Sequence, residues 1–476
     1  MDITTTRRAV KKLLPASALL IASGCAPSLE AHVSTVRTLS HAQLLPSLRE
    51  GEVDPTTADQ ARKLLQRPLD ANAAVRIALV NNRELRAQLR ELGIPASQLL
   101  TAGLIGNPTL EFELLPERDS RYELRAEYDL TSLIMAPLRR GAARDSLEAA
   151  RLRAAGEVIQ LGYDTRTRFF ALQAAVQRQQ LAQQTLDALA AGRDAAQALL
   201  DAGNISPLDA ASQIAAYERT RASVATLELE AAERKEALQR TLGLHGDEAS
   251  WQLAGGLAPA PENLDKLDDV EQRALTANLE VRAAQKTLDS LAKQSGIVRT
   301  AAWLPELAAD VHALRVRGED GARDGWRYGA GVSLQLPLFD RGQGRLRGVE
   351  AQFDAALERF QGFAIDLRSA ARDTRNRLVS THARAHQYET IIVPAQRTVL
   401  DQTMLQYNAM QIGIFQLLQA RRELLDVELS RVDTLRDYWS AVAELQALTQ
   451  GRLVRTTTSQ GSSAALSASS SSGEEH

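Results

Sequence analysis

Hydrophobic positions along this chain follow two periods, and the period changes in the same order twice. Residues 121–130 and 326–336 alternate apolar and polar side chains, as half-buried strands do. Alternating runs also precede them, at 108–115 and, with a weaker pattern, at 305–316. Most of the remaining chain repeats apolar residues every three or four positions, which is typical of amphipathic helices. The pattern predicts two hairpins with strands at 108–116, 121–132, 305–316 and 325–337.

The predicted helices are unusually long. No proline interrupts 138–206, and the second long segment, 343–409, is interrupted only at Pro394, where we expect a kink. At 1.5 Å per residue, a helix of about 65 residues would span about 97 Å. The shorter helices at 71–105 and 208–243 would span about 52 and 54 Å, so two of them end to end match one long helix. One face of the first long helix is predicted to pack through Ala155, Val158, Gly162, Thr165, Phe169, Leu172 and Val176.

The two series of elements are divergent copies of one unit, at 71–250 and 267–452. Residues 78–87 align with 274–283, and the turn at 202–208 aligns with 409–415. A repeat on this scale predicts a symmetric object. Chance similarity between Ala- and Leu-rich helices is the alternative, but it does not explain why strands, prolines and turns recur in one order.

Composition and charge exclude several classes of function. Only 4% of the 476 residues are aromatic, which favours long packed helices over a thick core. The net charge of −3 does not indicate a nucleic-acid partner. The sequence contains no recognisable catalytic triad or phosphate-binding glycine motif, so we expect neither enzymatic activity nor a cofactor. His382 and His386 have the spacing of a metal-binding pair but lack a third ligand nearby, so no metal site is expected.

The N-terminus has the parts of a secretory signal: four basic residues between Arg7 and Lys12, followed by a short apolar run ending at Ala22. Cys25, the only cysteine, cannot form a disulfide within the chain. The segment 22–25 resembles the bacterial lipobox, in which the cysteine becomes the acylated first residue of the mature protein. In such lipoproteins an Asp after the cysteine favours retention in the inner membrane. This chain has Ala26 there, so the resemblance implies sorting to the outer membrane. An ordinary signal peptide with an incidental cysteine is the alternative.

No later segment has the roughly 20 apolar residues that a membrane helix needs, so only a closed barrel could take this chain through a bilayer. Strands of about 9–11 residues with one apolar and one polar face suit such a barrel. Four strands are too few to enclose a pore, so several chains would have to share it. An amphipathic hairpin packed on a soluble domain is the alternative.

Two motifs carry a resemblance to a known family. Leu336-Pro337-Leu338-Phe339-Asp340-Arg341-Gly342 lies where a strand leads into a long helix, and residues 407–418 form the second turn. The turn at 202–209 is similar, whereas the strand exit of the first copy is degraded at 133–138. Over about residues 67–452 the chain resembles the TolC-like outer-membrane efflux proteins, and its lipobox places it nearer their lipoprotein branch, which serves drug and heavy-metal pumps.

The resemblance implies a mostly α fold with β, in which a tunnel of long helices is continuous with an outer-membrane β-barrel of four strands per chain and twelve in a homotrimer. It implies a passive exit channel for drugs or metal ions, anchored by lipid in the outer membrane of a Gram-negative bacterium. The implied partners are a periplasmic adaptor (membrane fusion) protein, an inner-membrane RND-type pump and outer-membrane lipid. The channel of a type I protein secretion system and a non-channel coiled-coil scaffold lipoprotein are the alternatives.

The resemblance also implies roles for the two turns, as the periplasmic tip that docks the adaptor. The tip residues are Gly203, Asn204, Ile205, Ser206, Leu208, Met410, Gln411, Ile412, Gly413, Ile414 and Phe415. We expect Gly203 and Gly413 to supply the conformational freedom of the turns, Met410 standing where the family usually has Gly. Residues implied in the gate are Asp209, Tyr407, Gln416 and Gln419. Because the two glutamines stand where an acidic ring is expected, block by divalent cations should be weak.

These interpretations give the predicted domain organisation. It comprises a signal peptide at 1–24, an N-terminal segment at 25–66, a first efflux repeat at 67–250, a linker at 251–266, a second repeat at 267–452 and a disordered Ser-rich tail at 453–476.

Overall fold

The computed structural model describes residues 28–42, 45, 48–49, 52–53, 55–115, 121–246, 250–264, 267–304, 306–316, 325–336 and 338–454. The signal segment, Cys25 and the tail from residue 455 onward lie outside the described residues. The described part begins with four short elements: α1 (Leu29–Leu39), β1 (Leu48–Arg49), β2 (Glu52–Val53) and α2 (Pro55–Leu65).

The two repeats follow in the predicted order. The first contains α3 (Ala71–Asn81), α4 (Arg83–Glu91), α5 (Gly93–Gly103), β3 (Thr109–Leu115), β4 (Arg121–Asp129), α6 (Leu130–Asp201) and α7 (Pro207–Leu242). The second contains α8 (Val270–Ala277), α9 (Leu279–Trp303), β5 (Glu306–Val316), β6 (Gly325–Gln335), α10 (Gln343–Gln387), a π-helical turn (Tyr388–Ile392), α11 (Val393–Asn408) and α12 (Ile414–Thr449).

The four predicted strands are present and form one antiparallel sheet in the order β3-β4-β5-β6. Strands β4 and β5 join the two hairpins, with Tyr128 opposite Ala309 and Tyr122 opposite Arg315. Strand β4 ends at Asp129, three residues earlier than predicted, because the Asp129 side chain accepts a hydrogen bond from the Ser132 backbone N–H (3.1 Å) and caps α6. The long helix therefore starts directly where the strand ends.

The prediction of one helix over 71–105 is wrong, because three shorter helices, α3, α4 and α5, occupy this segment. Asn82 has extended backbone and caps α4 by accepting from the Leu85 N–H at 2.9 Å. Asn278 does the same between α8 and α9, accepting from the Val281 N–H at 2.9 Å. The aligned segments share this asparagine, and an asparagine side chain competes with the helix for its own backbone N–H groups. The duplicated asparagine therefore marks a helix break in both repeats.

Two prolines lie within the long helical segments. Pro137 lies inside α6, which begins at Leu130 and runs for 72 residues, so the degraded strand exit is helical. At the other proline the helix is interrupted where a kink was expected. A five-residue π-helical turn immediately precedes Val393 and Pro394, and α-helix then continues to Asn408. A π-turn is a recognised way to relieve a disturbed helix hydrogen-bond ladder.

Helix α6 is the central element of the packing, because it lies against α3, α5, α7, α9 and α12. The predicted apolar row on α6 is buried from Ala155 to Leu172, and Val176 is half-buried. The segment at 250–264 packs on the same helix: the Gln173 Nε2 donates to the backbone carbonyls of Ala254 and Gly256, both at 3.1 Å. No helix among the described residues is both long and apolar enough to cross a membrane.

Each repeat ends in a glycine that packs against the backbone at the helix break near the start of the same repeat. Gly243 follows α7 at φ 69°, and Gly451 follows α12 at φ 107°. A Cβ atom would lie 2.6 Å from the Asn81 carbonyl oxygen at the first and 2.4 Å from that of Ala277 at the second. Only glycine fits both the backbone angle and the space.

Candidate functional site

The first helix-hairpin tip links α6 to α7. The Gly203 N–H donates to the Leu200 carbonyl (2.9 Å) and the Asn204 N–H donates to the Leu199 carbonyl (2.8 Å), with Gly203 at φ 74°. This pair of bonds is the Schellman arrangement, which ends a helix through a left-handed residue. Ser206 then caps α7, because its Oγ accepts from the Asp209 N–H at 3.1 Å.

The second tip, between α11 and α12, repeats this geometry with different residues. The Met410 N–H donates to the Tyr407 carbonyl (2.9 Å) and the Gln411 N–H donates to the Gln406 carbonyl (3.0 Å). Met410 therefore occupies the position of Gly203, at φ 57°. Gly413 was expected to supply the freedom of this turn, but it is extended (φ −82°) and occupies the capping position. The expectation for Gly413 is wrong, and the left-handed residue is a methionine.

The tips expose a smaller apolar surface than the sequence suggested. Leu208 is 78% exposed and Met410 is 94% exposed. The other apolar tip residues are only half-exposed, because they pack within their own hairpins: Ile205, Ile412, Ile414 and Phe415. Each chain thus presents one long flexible apolar side chain per tip, Leu208 from the first and Met410 from the second.

The polar groups implied in the gate mostly have partners within one hairpin. The Asp209 carboxylate accepts from the Ser206 hydroxyl at 2.7 Å, and the Gln416 Oε1 accepts from the Gly413 N–H at 2.8 Å. The Gln419 Nε2 donates to Glu423 at 2.9 Å. Tyr407 is half-buried. Within the described part of a single chain Asp209 and Tyr407 do not bond to each other, so their predicted link concerns neighbouring chains.

Sequence reasoning missed three charged side chains near the tips. Glu423 accepts hydrogen bonds from both Gln419 and Gln396, so it places a carboxylate one turn above the position where only glutamine was expected. Burial, and then the charge of nearby Arg219, lower the pKa of Arg422. The one available signal was the Arg421-Arg422-Glu423 run, which resembles an ordinary solvated helix face.

The sheet has one apolar face that is open to solvent. Apolar side chains point to this face from all four strands, and several are more than half exposed, Tyr328 reaching 80%. The largest are Leu110, Phe112, Leu114, Tyr122, Leu124, Val311, Trp326, Tyr328, Val332 and Leu334. A contiguous exposed apolar surface of this kind marks a face that is covered in the working molecule.

The opposite face of the sheet is acidic. Between the level of Glu113 and that of Asp129 it carries two arginines, Arg125 and Arg327, and six carboxylates: Glu111, Glu113, Glu123, Glu127, Asp129 and Asp310. The Asp310 carboxylate lies 3.1 Å from His312 Nδ1. Both side chains occupy space that a Cβ at Gly331 or Gly329 would fill.

The histidine pair at 382 and 386 does not form a metal site with other residues. The two rings are stacked with centroids 6.3 Å apart, and the His382 Nε2 is hydrogen-bonded to the Pro261 carbonyl oxygen at 2.6 Å. In the described ranges, no three His, Cys, Asp or Glu side chains are grouped closely enough to hold a metal ion.

Comparison with known proteins agrees with this architecture. Residues 270–451 match the outer membrane efflux protein family. The cobalt-zinc-cadmium resistance protein CzcC of Cupriavidus metallidurans is 26% identical over 394 residues, which covers 80% of this chain and 90% of that protein. The resemblance to outer-membrane efflux proteins that the motifs predicted is confirmed over the second repeat.

Solved structures share the fold. The chain superposes on CusC with a TM-score of 0.64 and 18% identity, covering 79% of this chain and 91% of CusC. It superposes on VceC of Vibrio cholerae with a TM-score of 0.66 and 17% identity, covering 80% and 96% of the two chains. The predicted fold, long helices that lead into a small antiparallel sheet, is confirmed.

Proposed function

We propose that three copies of this chain form a passive outer-membrane exit channel. The observation that carries the proposal is the four-stranded sheet, which is apolar on one face and acidic on the other, and whose edge strands β3 and β6 have no further partner among the described strands. An open edge is a template for pairing with another chain. Pairing β6 of one copy with β3 of the next would close twelve strands, with the apolar face toward lipid and the acidic face toward water.

The direct passage from strand to helix supports a continuous duct. Strand β4 leads into α6 without a linker, and α6 at 72 residues would extend about 108 Å. The second long column has segments of 45, 5 and 16 residues, which together would extend about 99 Å. Two columns of similar length from the two repeats are what a cylinder of uniform height requires.

We infer that the tips dock a periplasmic adaptor protein and, through it, an inner-membrane RND-type pump. The exposed Leu208 and Met410 support this, since isolated flexible apolar side chains at a helix-hairpin end suit a partner groove. The remaining tip residues would shape the loops that present these two side chains. Leu208→Ser combined with Met410→Ser should weaken adaptor binding to the purified channel, whereas Leu229→Ser, an exposed leucine on α7, should not.

The cargo that the acidic sheet face favours is a metal cation. CzcC is named for cobalt, zinc and cadmium resistance, and a wide acidic lumen would raise the local concentration of cations. Organic drugs are the alternative cargo. Potassium-over-chloride selectivity from reversal potentials tests this: changing Glu111, Glu113 and Glu123 to Gln should reduce it, and Glu262→Gln in the 250–264 segment should not.

We propose that Cys25 carries the lipid anchor and that the mature chain starts there. Its place after the short apolar run supports this. The mass of the intact membrane form decides the question, because an unmodified Cys25 or another mature start would contradict it. Cys25→Ser should reduce localisation or assembly more than pore structure.

Single-channel recording in planar bilayers, with mass measurement in detergent, tests the central proposal. A trimer that conducts is expected, whereas a non-conducting chain would favour the scaffold alternative. A stable monomer with the full strand content would contradict strand sharing. A type I secretion channel would conduct equally, so neighbouring genes distinguish it: a pump and adaptor against a secretion ATPase.

The gate is tested on the same channel. Asp209→Ala with Tyr407→Phe should raise conductance if a hydrogen bond worth roughly 0.5–1.5 kcal/mol links neighbouring chains, three times over. Arg234→Ala, on the exposed surface of α7, is the control. Divalent cations should block the wild type weakly, and Gln416→Asp with Gln419→Asp should introduce block. An unchanged conductance in the first variant would move the constriction elsewhere.

A further inference from the structure

A pocket far from the tips and from the sheet has the chemistry of an anion site. It lies where the end of α1 meets α3 and the middle of α6, and its volume is about 290 Å³. Its floor is apolar, formed by Val75, Leu79, Val158 and Ile159, all of them buried. A volume of this size lies near the lower limit for small-molecule sites.

The rim of this pocket is basic and has no acidic member. Arg76, Arg166 and His41 line it, and no Asp or Glu does. Neither arginine forms a hydrogen bond or an ion pair with any described residue, whereas other helix-packing arginines do, such as Arg178 with Glu230 at 3.1 Å. Asp70 lines an adjoining cavity. Its carboxylate caps α3 by accepting a hydrogen bond from the Ala73 N–H at 2.7 Å.

Arg166 is the more deeply placed cation. A Cβ at Gly162 would lie 3.7 Å from both the Arg166 Nη1 and the Val75 Cγ1, so the guanidinium reaches the apolar floor. Burial lowers the pKa of Arg166, because a desolvated charge without a partner is disfavoured. Guanidinium groups at protein interiors normally have a carboxylate or phosphate to offset this cost. The described residues supply no such partner for Arg166.

The backbone beside the pocket is strained. His41 has φ 53°, one of two non-glycine residues at positive φ among the described residues. A left-handed non-glycine residue costs roughly 1–2 kcal/mol, and such outliers concentrate where a side chain must be held in place. The turn is held by the Ser40 N–H, which donates to the Val36 carbonyl at 2.9 Å. His41 is thereby kept at the mouth of the pocket.

Because the proposed function puts the sheet in the membrane, the position along α6 excludes a lipid headgroup as the occupant. Gly162 is about 48 Å from the start of α6 at the sheet and about 58 Å from its end at the tip. The hydrocarbon core of a bilayer is only about 30 Å thick, so a pocket at this height faces water. The occupant therefore has to be soluble.

We propose that this pocket binds a soluble organic anion with an apolar body and a single phosphate or carboxylate head. The body would rest on the floor formed by Val75, Leu79, Val158 and Ile159, and the head would accept hydrogen bonds from Arg166 and Arg76. The pocket lies between α1, α3 and α6. A bound anion would therefore stabilise the packing of α1 on the core that the two repeats share. The site is independent of conduction.

The test uses the full chain in detergent, with phenyl phosphate as the probe and calorimetric titration and thermal unfolding as readouts. Inorganic phosphate lacks the apolar body and phenol lacks the charge, so both should bind more weakly. Benzoate separates a carboxylate preference from a phosphate preference. Losing one charged hydrogen-bond donor should weaken binding of phenyl phosphate about tenfold in both Arg166→Gln and Arg76→Gln. Arg234→Gln, a surface arginine on α7, should bind as the wild type does.

Two results would overturn the proposal. One is a wild-type chain to which neither phenyl phosphate nor benzoate binds. The other is binding that is unchanged in Arg76→Gln. Arg76 is exposed and forms no hydrogen bond or ion pair with any described residue, so this variant decides the matter even if Arg166→Gln fails to fold. Conductance should be the same in the Arg76→Gln channel, so a failure here leaves the channel proposal standing.

Discussion

The two repeats reach the same backbone geometry with different residues, and the differences show which positions are constrained. At the tips, Gly203 and Met410 both adopt a left-handed conformation, and a Cβ at Gly203 would meet nothing within 4 Å. At the ends of α7 and α12, Gly243 and Gly451 face a backbone carbonyl of their own repeat. A residue with a side chain is tolerated in the open turn but not in the packed one.

The two helix breaks share a capping asparagine but differ in the other hydrogen bonds of its side chain. The Asn82 side chain accepts from the Leu85 N–H and also donates from Nδ2 to the Thr241 carbonyl at 3.0 Å. Asn278 makes the capping bond, but its Nδ2 is buried without a partner among the described residues. The first break is therefore tied to the end of its repeat by a side chain. In the second, the Leu279 N–H donates to the Gly451 carbonyl at 2.8 Å.

The largest expected effect is at the packed glycines. Gly243→Ala and Gly451→Ala should each destabilise the protein by roughly 2–5 kcal/mol, because backbone strain and a clash with a carbonyl oxygen add. Gly451→Ala should be the worse of the two, since its φ of 107° lies outside the left-handed region that other residues visit. Urea unfolding of the detergent-purified protein measures this.

Gly203→Ala is the matched control, with a positive φ but open space around it. It should cost only about 1 kcal/mol. Equal losses at Gly203 and Gly243 would show that backbone angle alone, and not packing against the helix break, sets the requirement.

A smaller effect should separate the two asparagines. Serine keeps a helix cap, so Asn278→Ser should change the free energy of unfolding by less than about 0.5 kcal/mol. Asn82→Ser also loses the bond to the Thr241 carbonyl and should cost about 1 kcal/mol more. Equal effects would contradict the extra link assigned to the first repeat.

Much of this fold can be predicted from the sequence, because hydrophobic residues repeat with different periods in strands and in helices. The four strands, the paired turns and the buried row from Ala155 to Leu172 follow from side-chain spacing and local propensity alone. The breaks at Asn82 and Asn278 were visible only as an aligned asparagine within an otherwise helical pattern. Each cap is local, but Gly243 and Gly451, which pack against the breaks, are distant in the sequence, and no local pattern encodes that packing.

The candidate site was less predictable for a related reason. The turns could be located, but which residue takes the left-handed conformation depends on the exact end of α11, one turn before Gly413. Glutamines near the tip were apparent, whereas Glu423 matters only because the fold brings Gln396 and Gln419 to it. Contacts between helices cannot be predicted from the sequence of one helix alone.

The tips offer a further, modest test. Met410→Gly should relieve left-handed strain of roughly 1 kcal/mol, offset in part by the greater freedom of glycine in the unfolded chain. Gly203→Met should be destabilising by a similar amount. A small gain in unfolding midpoint for the first and a loss for the second would confirm that the tips are equivalent, and effects of the same sign would contradict it.

The smallest expected effect concerns α1, which packs on α6 of the first repeat. His32 is 1% exposed, and its Nδ1 lies 2.6 Å from the Arg151 Nη2, so the imidazole must be neutral to accept this bond. Burial, and then the charge of Arg151, lower the pKa of His32 below its ordinary value of 6.5, although Arg151 also pairs with Glu148 at 3.2 Å. Because the unfolded segment then binds a proton more readily than the folded one, α1 should lose stability as pH falls below about 6.5, and the loss should level off below the lowered pKa. Hydrogen exchange of residues 29–39, corrected for intrinsic rates, should be faster at pH 5 than at pH 7.5. His32→Asn keeps an acceptor for Arg151 without titrating, so its exchange should not depend on pH in this way, and the same dependence in both proteins would rule out His32 as its cause.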